Sequence, residues 1–430
     1  MPIFFTFSAS RPVFASALIF TAVGAFAQEA PISALTLAQT LALAAERHPA
    51  LAAQAYQERA AEGLIEQAGL RPNPTLEASL ENIHGTGRVQ GLRSLEATVQ
   101  ASQTFERGGK REKRVALATR ERDTATKEFA VRRTEILAAT AAAYVNTVAA
   151  RQRLTLAAEP VRLARETLAL IESRVRAGAA SVIDSARARA AVISAEGEFA
   201  RTEAALVSAR ATLAATWGGS LAEVGGLTGT LRVPDALPAE NEFRVRLASH
   251  PRLEQQAAVI ASRRAHLDLE QAQAKQDVTA SGGVRFLRDG TDAAFVAGVS
   301  VPLPTRNKNQ GNIRAARETL AGAEHTVRAI TAELHAAFTA AWQDLAAAHA
   351  LAQKLRREAL PATEEAHAAV RRAYEAGQLP LIDVLDAQRA LVALRREILD
   401  AESAFATALA RAESLTAPTF PATTALLSSE

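Results

Sequence analysis

The chain has 430 residues, with no cysteine, one methionine and 5% aromatic residues. The absence of cysteine excludes disulfides, thiolate metal sites and a lipidated N-terminal cysteine. The formal net charge of +3 is close to balance for this length, so the pI of about 9.4 reflects a small arginine excess and does not indicate a nucleic-acid partner.

The first 27 residues are typical of a secretory signal peptide. Arg11 supplies a positive charge, residues 13–26 an apolar core, and Ala25-Phe26-Ala27 a small-x-small cleavage site. The alternative is a membrane anchor, but the apolar run is short for a span of roughly 20 residues. The sequence therefore predicts export with cleavage near Ala27.

Residues 28–217 form the first of two predicted repeats, which begins with helical periodicity over about 36–70. His48-Pro49 interrupts this pattern, and Pro49 is suited to the first position of a second helix. The period then changes to two, which predicts strands over about 75–83 and 94–104.

The two predicted strands have one polar face and one face of small or apolar residues. Strands of about ten residues can cross a bilayer when tilted, with the polar face toward a lumen. An amphipathic hairpin on a soluble core would show the same alternation. The signal peptide and the flanking helices favour the membrane barrel.

A very long helix is predicted over about 107–176, and a return helix over about 184–217. Hydrophobic residues recur every seven positions in both, which indicates a coiled coil. Pro160 predicts a kink or a local break in the long helix. Gly178 lies in the hairpin between the two helices.

After an irregular segment over 218–245, with one possible short strand at 230–233, the plan repeats over 246–414. The second repeat has predicted helices over about 246–274, 306–376 and 383–414, strands over about 278–287 and 293–302, and a polar tail over 415–430. In both repeats 72 residues separate the strand end from the hairpin glycine, which is roughly 108 Å of helix. The predicted molecule is a rod with strands at one end and hairpins at the other.

The second hairpin has the motif Tyr374-x-x-Gly377-x-x-x-x-x-Asp383-Val384-Leu385-Asp386-Ala387. A degenerate copy, Arg174-x-x-x-Gly178-x-x-x-x-x-Asp184, occurs at the same place in the first repeat. These features together resemble the TolC-like outer membrane factor family over essentially the whole mature chain. The resemblance implies a mainly α homotrimer, with a twelve-stranded outer-membrane β-barrel continued by a periplasmic helical barrel and an equatorial collar.

The resemblance also implies roles at the two tips. Asp383 and Asp386 would project into the pore, and Tyr374 and Asp184 would belong to the network that holds the entrance shut. Carboxylate rings of this kind favour cations. Asp383 could equally cap its helix, which is compatible with a pore role. Leu379 departs from the family pattern, because a relative uses an arginine there to bridge to the first repeat.

Small residues at the tips fit a second role that the resemblance implies, which is contact with a periplasmic adaptor protein through Gly178, Ala179, Gly377 and Leu379. A tight turn between helices would also need the two glycines. The turn therefore explains the glycines, and only the resemblance supports docking of an adaptor.

A finer resemblance concerns the sequences beside the strands. Arg71-Pro72-Asn73-Pro74-Thr75-Leu76 and Phe105-Glu106-Arg107-Gly108-Gly109-Lys110-Arg111 are similar to the cobalt–zinc–cadmium branch, which serves heavy-metal pumps of the resistance–nodulation–division type. The implied function is a passive exit duct with an inner-membrane pump, an adaptor and outer-membrane lipid as partners. Drug or protein export, or a periplasmic coiled-coil scaffold without a pore, are the alternatives.

No constellation in the sequence supports an enzyme, a cofactor or a metal site. The eight histidines are scattered, and no pair has the i, i+4 spacing of a helical metal site. Phosphate-binding and nucleophile motifs are also missing from the sequence.

Overall fold

A computed structural model of the chain describes residues 34–288, 290, 292–416 and 419–428. The predicted signal peptide and its cleavage site lie outside the described residues. Within these ranges, no helix combines the length and the apolar character needed to cross a membrane.

Ten helices and four strands are described. The helices are α1 Leu37–Arg47, α2 Pro49–Gly69, α3 Lys110–Arg176, α4 Val182–Ala215, α5 Glu240–Arg246, α6 Pro251–Gln273, α7 Gln310–Lys354, α8 Leu360–Glu375, α9 Leu381–Thr416 and α10 Pro421–Ser428. The strands are β1 Thr75–Glu81, β2 Glu96–Phe105, β3 Val278–Leu287 and β4 Asp292–Ser300. The predicted order of helices and strands in both repeats is therefore present.

The four strands form one antiparallel sheet in the order β1-β2-β3-β4. The central pair joins the two repeats, with Thr98 opposite Arg285 and Phe105 opposite Val278. One face carries the exposed large apolar residues, namely Leu76, Leu80, Val99, Phe286, Phe295 and Val299. The other face is polar, so the alternation predicted from the sequence extends across the whole sheet.

The rod is built around α3, whose 67 residues span roughly 100 Å at 1.5 Å per residue. Near the strands, Lys113 and Lys127 of α3 bind Asp268 and Glu254 of α6. Near the hairpins, α3 packs against α4 and α9 instead. One long helix thus lies beside two shorter helices stacked end to end.

The second long arm is divided, whereas the first is continuous. A π-helical turn, Leu355–Ala359, separates α7 from α8, and Pro361 follows it. The wider turn relieves the clash between a proline ring and the preceding turn. Pro160 lies inside α3 without any break, so of the two predicted alternatives the local break is wrong, and the kink stays a prediction.

The core is concentrated where the arms meet the segment over 218–245. Tyr144 is fully buried there, and its hydroxyl lies 2.8 Å from the Leu35 carbonyl and 2.9 Å from the Thr228 carbonyl. Residue 35 also forms an isolated bridge with Leu227. The possible strand at 230–233 is not formed, since these residues have no regular secondary structure.

Several predicted bounds are corrected by the capping chemistry. The helix predicted from 246 begins at Pro251, where the His48-Pro49 arrangement recurs: the ring of His250 accepts the Arg252 amide at 3.1 Å. The helices predicted from 107 and 306 begin at 110 and 310, after Gly109 and Asn309 in the left-handed conformation. The predicted tail over 415–430 includes the end of α9 and the helix α10.

Candidate functional site at the hairpin tips

Both hairpin glycines close their helices in the same way. Gly178 and Gly377 have φ of 72° and 75°, which non-glycine residues rarely adopt. Gly178 donates to the Val175 carbonyl at 3.0 Å, and Ala179 to the Arg174 carbonyl at 2.8 Å. This double closure is the Schellman motif.

The second tip repeats the motif. Gly377 donates to the Tyr374 carbonyl at 3.0 Å, and Gln378 to the Ala373 carbonyl at 2.9 Å. The backbone requirement thus accounts for both glycines. Gly178, Ala179 and Gly377 are exposed, and Leu379 is half-buried, so the two tips present a small-residue surface at the end of the rod.

A direct contact joins the two tips of one chain. The Nη1 atom of Arg174 donates to the Tyr374 hydroxyl at 2.9 Å, and the guanidinium carbon lies 5.4 Å from the centre of the tyrosine ring. The two residues are one position away from equivalence, because the counterpart of Arg174 in the second Schellman motif is Ala373, the residue before Tyr374. Leu379 has no charged group with which to bridge the two tips. Arg174 of the first tip forms such a bridge instead, through its bond to Tyr374.

Asp184 is engaged within its own helix. Its Oδ2 atom accepts the Ser181 amide at 3.3 Å, and the Ser181 hydroxyl accepts the Ile183 amide at 3.1 Å. This capping box explains why α4 begins at Val182, two residues before the predicted start. Within one chain, Asp184 therefore does not meet Tyr374. A network that joins them between chains stays a prediction.

The two aspartates of the second tip differ in their surroundings. Helix α9 begins at Leu381, so Asp383 lies in its first turn and is not the capping residue. Asp383 makes no side-chain hydrogen bond or ion pair in the described part of the chain. Asp386 is exposed and accepts from Arg389 one turn along, at 2.8 Å. Asp383 is thus the carboxylate whose charge no side chain offsets.

Behind the tips, arginines tie α9 to three other helices. Arg395 lies 2.7 Å from Glu159 of α3 and 3.0 Å from Glu364 of α8. The hydrogen bond to Glu364, and next to it the charge of Glu159, hold the pKa of Arg395 above its ordinary value. Arg396 adds a bond of 2.9 Å to Glu198 of α4. Each such exposed pair contributes up to about 1 kcal/mol, so the set is a moderate restraint on α9.

The described ranges contain no group of three or more histidine, aspartate or glutamate side chains placed to hold a metal ion. Two histidines cap the helices that follow them. The ring Nδ1 atoms of His48 and His250 each accept a hydrogen bond from a backbone amide at 3.1 Å.

A solved channel has the same chain fold. The outer membrane protein VceC of Vibrio cholerae superimposes with a TM-score of 0.71 at 20% identity, over 88% of this chain and 96% of that chain. The chain therefore has the fold of this outer membrane protein, which confirms the predicted fold class.

The family match is equally extensive. The model of the outer membrane efflux protein family matches residues 40–219 and 245–417, close to the two predicted repeats. The chain belongs to this family, and it is a transport component of the outer membrane and not an enzyme.

Two relatives are named for metals. The cobalt-zinc-cadmium resistance protein CzcC of Cupriavidus metallidurans is 32% identical over 84% of this chain and 85% of its own length. The nickel-cobalt-cadmium resistance protein NccC of Alcaligenes xylosoxydans xylosoxydans is 30% identical over 79% of this chain and 76% of its own length. The predicted heavy-metal branch is confirmed.

Proposed function

We propose that this chain is the outer-membrane exit duct for divalent heavy-metal cations in a tripartite efflux system. The observation that carries the proposal is the 32% identity to a cobalt-zinc-cadmium resistance protein across both repeats. The pump is of the resistance–nodulation–division type, and a periplasmic adaptor joins it to the duct. The mature chain begins after cleavage near Ala27.

The two faces of the sheet support a barrel of three chains with four strands each. The apolar face is exposed in the single chain: Leu76 is 77% and Phe295 94% accessible. Such a face is stable against lipid, while the polar face lines a water-filled lumen. A soluble coiled-coil scaffold gives no reason for this exposed face.

The hairpin tips form the gate and the adaptor contact in this proposal. Asp383 and Asp386 give carboxylate rings at the constriction. Gly178, Ala179, Gly377 and Leu379 give a surface of low relief on which helices of an adaptor can pack. The bond between Arg174 and Tyr374 holds the second tip against the first.

Deletion of the gene tests the function. We expect the host to lose tolerance to zinc, cobalt or cadmium, while its tolerance to drugs is unchanged. Complementation with the wild-type gene should restore metal tolerance, and the protein should fractionate with the outer membrane as a heat-modifiable trimer. A drug-sensitive, metal-tolerant deletion strain would contradict the metal assignment, and soluble fractionation would contradict the duct.

Replacement of Tyr374 by phenylalanine tests the tip contact. The variant keeps the ring but removes the acceptor of the Arg174 hydrogen bond. We expect the closed-to-open ratio of single channels to fall about fivefold, since such a bond is worth about 1 kcal/mol. Planar-bilayer recordings measure this ratio.

Tyr56→Phe is the matched control, because Tyr56 also lies beside an arginine, with Arg59 at 4.2 Å from its ring, but on α2 and far from the tips. Equal gating in the Tyr374 and Tyr56 variants would show that the Arg174 contact does not hold the tips.

A further inference from the structure

A basic residue lies within the polar face of the sheet. The register places Arg285 of β3 opposite Thr98 of β2 and opposite Ala294 of β4. Arg285 is the single basic residue of the four strands. The guanidinium of Arg285 is therefore the positive charge that the strands contribute to this face.

The guanidinium of Arg285 is held by its neighbours on two strands. Its Nε atom donates to the Thr98 hydroxyl at 3.1 Å, and its Nη1 atom donates to Glu96 Oε2 at 3.0 Å. Its Nη2 atom lies 3.9 Å from Glu81 Oε2 on β1. The side chain is 36% exposed, so the charge is fixed against the wall but remains in contact with water.

The carboxylates of the same face outnumber this arginine. By the register, the polar face carries Glu77, Glu81, Glu96 and Asp292. Glu77 has an amide partner, Gln100, at 3.1 Å and no basic partner among the described residues. The wall thus has an excess of negative charge that Arg285 partly offsets.

We propose that Arg285 is a selectivity-determining residue of the duct: its tethered guanidinium limits the cation preference that the carboxylates of the strands create. This inference rests on the proposed function, because it needs the polar face to line the lumen. Fixed charges in a narrow, water-filled passage alter the local concentration of ions of each sign. Loss of Arg285 leaves Glu81 and Glu96 uncompensated and should make the duct more cation-selective.

The absence of cysteine from the chain allows a test within single assembled channels. R285C is introduced into a D383N/D386N background, so that the charges at the tip do not mask those of the strands. The reversal potential is measured in planar bilayers under a KCl gradient. A cationic methanethiosulfonate, carrying trimethylammonium, then restores a positive charge, and an anionic one, carrying sulfonate, adds a negative charge.

We expect the cationic reagent to lower the ratio of potassium to chloride permeability about twofold, and the anionic reagent to raise it. V284C is the matched control, since Val284 is adjacent but lies on the apolar face. Neither reagent should shift the reversal potential of V284C.

If neither reagent changes the reversal potential of R285C channels, the role of Arg285 is overturned, but the proposed function of the chain as a duct is unaffected. An absence of conductance in wild-type protein would instead contradict the proposed function. Should R285C fail to assemble, R285Q replaces it, because its amide nitrogen takes the place of the Arg285 Nε atom that donates to Thr98. R285Q should raise the permeability ratio about twofold over its parent, and an unchanged ratio would overturn the inference.

Discussion

Glu413→Ala is expected to detach α10 from the middle of the rod and to lower the free energy of unfolding by about 2–4 kcal/mol. The carboxylate of Glu413 is 1% exposed. Its Oε1 atom accepts the Ala422 amide at 2.6 Å, and its Oε2 atom accepts the amide and hydroxyl of Thr423 at 2.9 and 2.5 Å. Alanine leaves these three donors without their acceptor.

The effect is measured by thermal unfolding of the purified protein and by proteolysis of residues 421–428. Glu397→Ala is the control, because Glu397 is an exposed glutamate of the same helix. Equal protection of α10 in the two variants would refute a docking role for Glu413.

The protonation of Glu413 gives this docking a pH dependence. Burial raises the pKa of the carboxyl above its ordinary value of 4.5, against the opposing influence of Thr423, Ala422 and Arg246. The group therefore contributes most stability below pH 4.5, and the contribution is lost as pH rises through the raised value. Protease protection of α10 should weaken in the wild type as pH rises above 4.5 and through the raised pKa, and it should stay level in E413Q.

The duplication could be predicted from the sequence because it depends on local signals. Glycine, proline and aspartate recur at a fixed offset, and the hydrophobic period changes from 3.6 to 2 at the same place in each repeat. These signals gave the four strands and the two hairpins. These signals could not predict α10, because residues 421–428 are held by the buried carboxylate of Glu413. This carboxylate belongs to α9 and lies ten positions before Thr423, whose amide it accepts.

The ends of the helices depend on local chemistry to different degrees. Ser181 and Asp184 have the spacing of a capping box, which fixes the start of α4 at Val182. By contrast, Pro160 and Pro361 each lie in the long arm of their repeat, and only the second lies after a π-helical turn. Arg356 of that turn lies 2.5 Å from Glu402 of α9, an ion pair without hydrogen-bond geometry.

The tip contacts illustrate the same limit at the candidate site. The repeated motif identifies Tyr374 and the two aspartates, and Arg174 stands within the quoted motif of the first repeat. Its importance was missed because nothing in the spacing tells which side chains of two adjacent coiled coils meet. The offset of 200 residues between Arg174 and Tyr374 was the available signal, since it is one more than the 199 residues between Gly178 and Gly377 and places both residues at nearly the same height of the rod.

The double variant D383N/D386N is expected to change the duct from cation-selective to anion-selective. At the second tip of each chain, Asp383, Asp386 and Arg389 form one cluster, in which Arg389 pairs with Asp386. The charge of these three residues is therefore −1 per chain in the wild type and +1 per chain in the double variant. A negatively charged ring favours cations, and a positively charged ring favours anions. The ratio of potassium to chloride permeability should therefore fall by about tenfold or more.

Reversal potentials in planar bilayers under a KCl gradient measure this ratio. R389Q is the matched control, because it alters the same cluster in the other direction, to −2 per chain, and should raise cation selectivity. D383N alone should give an intermediate ratio, since it removes the carboxylate that no side chain offsets and leaves the Asp386–Arg389 pair intact. Identical reversal potentials in the wild type, D383N/D386N and R389Q would remove these residues from the ion path and place the selectivity of the duct at its strands.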